Sequence, residues 1–296
     1  MHSARVSAVA EAFAALGLDH IAAFDRAEPE FEMFSELRVQ QKQLGVSLAE
    51  TIQHRIALGM GAALINYRLA GDAQSFWSSL STAVQDHGAV TSVPDVEAVL
   101  DVFLEDPVNS RSVSYKRTRV ERFFESGFAE WLVSEYPNVE AVTVWEELAA
   151  ALDNDMDLKT IVFAMKVFDV IEFIEHGEYL SVPSRVPIPV DLQTERMALL
   201  SGIVGESPTA EDVIEAWGAV TEGVSMRLDR EVSVFRIDSI AWQAGQIVGQ
   251  NKESRSVAEN ALTRHFTGVG VGESEAGRLA GELVTDFDRV RDLDVF

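Results

Sequence analysis

Two of the five lysines in this chain, Lys159 and Lys166, fall within one apolar stretch, DLKTIVFAMKVF at 157–168. An ammonium at the start of a buried helix is disfavoured twice, by the positive end of the helix dipole and by desolvation, and both effects favour the neutral amine. Neutral lysines attack electrophilic carbon and form Schiff bases. Lys159 is expected in that first turn, behind Asp157 as N-cap. Phe163 follows one turn later and Lys166 returns to nearly the same face, giving a stripe of amine, aromatic, amine. The same spacing also suits a solvent-facing first-turn lysine and a second lysine with a snorkelling stem.

A carboxylate partner is offered by PIPVDLQTERMALL, where Asp191 ends an extended proline segment and opens a new helix. It reads as an ordinary N-cap or as a fixed carboxylate facing a reactive centre. A buried amine and a fixed carboxylate suit cleavage of an N-glycosidic bond, the amine taking the anomeric carbon and the carboxylate stabilising oxocarbenium-like charge. In RIDSIAWQAG, Asp238 and Trp242 are four residues apart on one helix face, where a ring and an acceptor could grip a flat heterocycle. A core tryptophan beside an incidental surface aspartate is the plainer alternative, and Trp77 in AQSFWSSL is equally open.

The elements that must position these groups are helices. Apolar residues recur at three-and-four spacing in ARVSAVAEAFAALG, LAETIQHRIALGMGAALINYRLAG, VTVWEELAAAL, TAEDVIEAWGAVTEGVSMRL and around both lysine and tryptophan motifs. An all-α protein of roughly ten to thirteen helices is expected, since alternating strand-like stretches are few. The break at SVPSRVPIPVD, with Pro183, Pro187 and Pro189, separates two helical blocks. The expected organisation is one unit over 1–296 with two lobes and a cleft between them.

Composition removes much other chemistry. With no cysteine there is no disulfide, thiolate zinc site, iron–sulfur cluster or cysteine nucleophile, and the six histidines show no metal-site spacing. No metal or cofactor is expected. DNDMDLKTIVFA imitates a calcium loop, but Leu158 replaces its glycine and Ala164 its closing glutamate. GVGVGESEAGRLAGEL, from Gly268, superficially suggests a nucleotide loop, but no strand precedes it; it reads as the start of a C-terminal helix. The net charge of −24 and the excess of arginine over lysine match the solvated acidic surface of proteins that work in high salt. Against it stands one basic run, RSVSYKRTRVERFF, with Arg111, Lys116, Arg117, Arg119 and Arg122, read either as a solvated helix face or as a phosphate-binding strip. The first residues read as an amphipathic helix rather than a secretory leader, and no apolar run is long enough for a bilayer. A cytoplasmic monomer with no membrane partner is expected.

The segments DLKTIVFAMK, PIPVDLQTERM, RIDSIAWQAG, LINYRLAGDAQSFW and YKRTRVERFF, in their order along the chain, resemble the archaeal 8-oxoguanine DNA glycosylase/lyase family (AGOG), a divergent branch of the helix-hairpin-helix glycosylases. The resemblance spans about Phe24 to Gly249, leaving 251–296 as a C-terminal extension. It implies a bifunctional repair enzyme that flips oxidised guanine out of DNA, with Lys159 as Schiff-base nucleophile and Asp191 as catalytic carboxylate. It further implies that Phe163 and Trp242 wall the base, that Asp238 hydrogen-bonds it and that Trp77 lines the pocket. It also implies that Arg111, Lys116, Arg117 and Arg119 meet the DNA backbone. Two features depart from the family pattern: Glu30 stands where a base-reading glutamine is expected, and the turn before Lys159 carries Asp153, Asp155 and Asp157, which repel phosphate. A non-catalytic helix-hairpin-helix DNA-binding protein and a Schiff-base lyase for a small carbonyl metabolite are the competing classes.

Overall fold

Helical periodicity is realised throughout the described residues. The computed structural model describes residues 1–289, and among these lie fifteen α-helices, two short 3-10 turns and no strand. In chain order they are α1 (Ser3–Ala14) and α2 (Gly17–Arg26), then α3 (Pro29–Gln43), α4 (Leu48–Ala63), α5 (Ala73–His87), α6 (Val93–Leu104), α7 (Val113–Glu125), α8 (Phe128–Glu135), α9 (Ala141–Ala151) and α10 (Lys159–His176). After the proline segment follow α11 (Leu192–Leu200), α12 (Ala210–Leu228), α13 (Val234–Gln250), α14 (Arg255–Gly268) and α15 (Glu273–Leu283). Two units result: a continuous one, residues 28–182, and one assembled from both ends, residues 1–27 and the chain from Pro183. The second division falls inside the proline-rich break.

The continuous unit is built on α4 and α10. Both are apolar nearly all round, so both must be covered on most sides. They approach closely because α4 carries Gly59, where a Cβ would stand 2.6 Å from Ile171 Cδ1. Trp77 of α5 fills the next layer, edge-on to Phe76 at 5.1 Å and to Phe34 at 5.9 Å, an arrangement that adds ring electrostatics to buried area. At the far end of α10, Glu175 accepts from Arg55 at 2.7 Å and from Arg38 at 3.1 Å, tying α4 and α3 to that helix.

The two-ended unit closes the chain on itself. Arg5 of α1 donates to Ser201 O at 2.9 Å and to Glu282 Oε2 at 2.7 Å, joining the first helix to the end of α11 and to α15. Phe13 meets Trp217 of α12 edge-on at 6.2 Å, and Phe24 of α2 meets Phe266 of α14 at 5.4 Å. Asp25, fully buried, accepts from Arg236 Nη1 and Ser239 Oγ of α13, each at 2.6 Å. Residues 250–289 are therefore structural members of this unit, and the glycine-rich stretch forms the turn into α15, with Gly270 at φ +106°.

Candidate active site

Lys159 is the first residue of α10 and is half-buried. The cap before it is Leu158, not Asp157: the Leu158 carbonyl accepts from Ile161 N at 2.8 Å and Val162 N at 3.1 Å, and no side chain caps the helix. Asp157 lies one residue too early and is exposed, its carboxyl raised above the ordinary range by burial of its surroundings and by Asp155. Phe163, one turn on, is also half-buried, with its ring 6.4 Å from Trp77. Amine, phenyl and indole thus gather in one unit. Trp77 is 1 % exposed, and its indole N–H finds no acceptor among the described residues. It also floors a polar groove of about 240 Å³ between α3 and α5, whose walls include Glu32, Glu36 and Ser78 but neither Lys159 nor Phe163. Glu30, second residue of α3, is buried at 4 % exposure.

The second lysine of the stripe has a different environment. Lys166 Nζ lies 2.9 Å from Glu28, with both side chains almost inaccessible. An ion pair in that setting, not a snorkelling stem, is what this lysine provides. No signal near Lys166 foretells a partner 138 residues away.

The basic run splits. Arg111 is exposed and Arg117 pairs with Glu105. A phosphate contact at Lys116 is corrected by its burial: it is 0 % exposed, donates to Asn109 Oδ1 at 2.9 Å and lies 5.5 Å from the Tyr67 ring centroid. Arg119 is half-buried and turned toward α10, where it donates to Thr160 Oγ1, and its guanidinium lies 5.8 Å from the same Tyr67 ring. Desolvation holds the Lys116 amine at about 8. Between about pH 8 and 10.5 the unfolded chain therefore binds a proton that the native chain has released. Stability is expected to rise with pH through that window and to be lost as pH falls through about 8. Lys116→Met is expected to flatten this dependence and to raise neutral-pH stability by roughly 2–3 kcal/mol, read as urea midpoints at neutral and alkaline pH.

In the two-ended unit Asp191 is the N-cap of α11. Its Oδ1 accepts from Gln193 N at 2.8 Å and Thr194 N at 3.1 Å, while Thr194 Oγ1 accepts from the Asp191 N–H, a reciprocal capping box. α13 is pressed against this cap because it carries Gly245, where a Cβ would stand 2.6 Å from Gln193 O. Arg196 fastens the contact by donating to Gly245 O at 2.9 Å. Asp238, 2 % exposed, and Trp242, half-buried, share the helical stripe of Gly245, so carboxylate, indole and cap are fixed within one unit.

Residues 10–276 match the family model described as AGOG, N-glycosylase/DNA lyase. The chain belongs to this family. The AGOG match runs wider than the motifs that first suggested it, taking in α14 and the start of α15. Among related proteins, the N-glycosylase/DNA lyase of Methanococcus maripaludis is 25% identical over 206 residues, 69% of this chain and 74% of that one. The enzyme of the same description from Pyrobaculum aerophilum is 23% identical over 248 residues, 82% and 88% of the two chains. The fold is similar to the crystal structure of Pa-AGOG, the 8-oxoguanine DNA glycosylase from Pyrobaculum aerophilum complexed with 8-oxoguanosine. The TM-score is 0.65 at 20% identity, over 83% of this chain and 90% of that one. The protein is therefore an all-α N-glycosylase/DNA lyase of the AGOG family.

Proposed function

We propose that this AGOG member excises 8-oxoguanine from DNA and then nicks the strand, with Lys159 as nucleophile and Asp191 as its carboxylate partner. In this reading α9, the 152–158 turn and α10 form the helix-hairpin-helix element. The Lys159 amine bonds through its nitrogen lone pair to C1′ as the N-glycosidic bond breaks, and the base leaves with the electron pair and takes up a proton. Asp191 stabilises the positive charge on the sugar as it develops. Opening of the ring at O4′ gives a protonated imine, loss of a proton from C2′ expels the 3′-phosphate by β-elimination, and water releases the lysine. Phe163 and Trp242 wall the base, Glu30 and Asp238 accept from its N–H groups, and the buried indole N–H of Trp77 meets an acceptor on the oxidised base. Arg111 and Arg117 meet the backbone, and the enzyme acts in the cytoplasm as a monomer.

The observation that carries the reading is Lys159, half-buried at the start of α10, which no side chain caps, one turn from a half-buried Phe163 that lies against Trp77. The test is borohydride trapping on duplexes carrying 8-oxoguanine, unmodified guanine or another damaged base at one site, run at several salt concentrations. Covalent protein–DNA product is expected with 8-oxoguanine and not with guanine. Binding without trapping would leave only a DNA-binding module, and no binding at any salt would move the amine to a small carbonyl substrate.

A further inference from the structure

We infer that Arg119 is a positioning residue for Lys159, acting through the first turn of α10 rather than on DNA phosphate; this rests on Lys159 being the nucleophile. The need for such a residue is set by the cap. Leu158 offers no side-chain oxygen to the first N–H groups of α10, so the turn that carries the amine lacks the local device that ordinarily stops a helix start from fraying. Rigidity must come from outside the helix, and it comes from α7. Arg119 donates to Thr160 Oγ1, to Leu64 O at 3.1 Å and to Asn154 Oδ1 at 3.4 Å. One guanidinium thereby joins the C-cap of α4, the middle of the hairpin and the residue after Lys159.

A second clamp lies one turn further along α7. Arg122 Nη1 donates to Leu152 O at 3.0 Å, the same carbonyl that receives the Asn154 side chain. Trp145 Nε1 closes the remaining strand of the hairpin by donating to Met156 O at 2.9 Å. Both ends of the turn are thus tied to the neighbouring helices α7 and α9, although its three aspartates are exposed. Arg119 reaches these acceptors from two nitrogens held in one plane, Nη1 to Leu64 O and Thr160 Oγ1 and Nη2 to Asn154 Oδ1, whereas lysine has a single ammonium nitrogen, so lysine is not an equivalent at this position. Displacing a reacting group by about 1 Å is enough to cost roughly a hundredfold in rate.

The experiment uses the full chain with Arg119→Gln, Arg119→Lys and Thr160→Val. Two duplexes are needed: one with a tetrahydrofuran site, which binds but cannot form an imine, and one with a true abasic site. Positioning predicts that Arg119→Gln keeps its tetrahydrofuran-duplex affinity and salt slope. Its single-turnover nicking of the abasic duplex at saturating enzyme falls about thirty- to a hundredfold. Arg119→Lys regains only part of that rate, Thr160→Val loses several-fold, and the double variant Arg119→Gln/Thr160→Val is no slower than Arg119→Gln alone. A phosphate contact predicts the reverse: weaker binding, a salt slope reduced by about one and an intact rate at saturation. That result overturns the inference, as does an unchanged rate in Arg119→Gln or in Thr160→Val. Should Arg119→Gln fail to fold, Thr160→Val, which removes one hydroxyl, decides alone. Lys159→Gln run beside them separates the two levels: if it is still trapped the nucleophile assignment fails, whereas loss of trapping with a full rate in Arg119→Gln sinks only the clamp.

Discussion

Lys159→Gln is expected to lose covalent trapping altogether and to slow base excision at least a thousandfold, while binding to a tetrahydrofuran duplex changes little. The size follows from what is removed: in an enzyme whose intermediate is covalent, deleting the nucleophile leaves only what binding and electrostatics contribute, and losses of three to six powers of ten are ordinary. Glutamine is one atom shorter than lysine but keeps much of its helix propensity, and the side chain is half-buried rather than a core piece, so the fold should survive. Asp191 makes a useful companion because its two jobs separate chemically. Asparagine caps a helix about as well as aspartate, so Asp191→Asn should lower the excision rate sharply while leaving the melting temperature near that of the parent. Alanine should do both kinds of damage, adding about 1 kcal/mol of lost capping. Equal rates for Asp191→Asn and the parent would reduce Asp191 to its cap.

Lys166→Met is expected to produce the largest loss of stability, about 3–5 kcal/mol, because it strands the Glu28 carboxylate where only 2 % of the residue reaches solvent. The companion variant Glu28→Gln/Lys166→Met should recover most of that loss, since a pair of neutral groups carries no uncompensated charge. Denaturant melts of the two variants check the numbers. Trapping should persist in every folded sample. A folded Lys166→Met protein that can no longer be trapped would transfer the nucleophile to Lys166 and undo the assignment of Lys159.

Particular residues show how far the sequence reached. The stripe of Lys159, Phe163 and Lys166 was legible from helical spacing, and Asp191 as a cap from the proline segment before it, because both depend on neighbours within a turn or two. The partner of Lys166 was not, since Glu28 lies at the start of another helix. Asp157 misled because aspartate is the better capping residue by type, whereas the backbone reverses one residue later and hands the cap to Leu158. The basic run misled for a related reason. Its charges are visible in sequence, but whether each faces water depends on what α7 packs against, and Asn109, Tyr67 and Thr160 draw Lys116 and Arg119 inward.

The two-ended unit has a consequence for how the molecule comes into being. α1 and α2 leave the ribosome before the continuous unit, with Val9, Phe13 and Phe24 destined for complete burial, yet their partners Trp217 and Phe266 are synthesised only after the whole of that unit. Until then those apolar faces have nothing of their own to cover them, and pairing must wait across a very long loop. Residues 28–182 form a uninterrupted stretch with its own core and can collapse during that wait, which shortens the distance the late helices must search. Nascent-chain maturation should therefore proceed from the continuous unit outward, with α1 and α2 among the last helices to be locked in place.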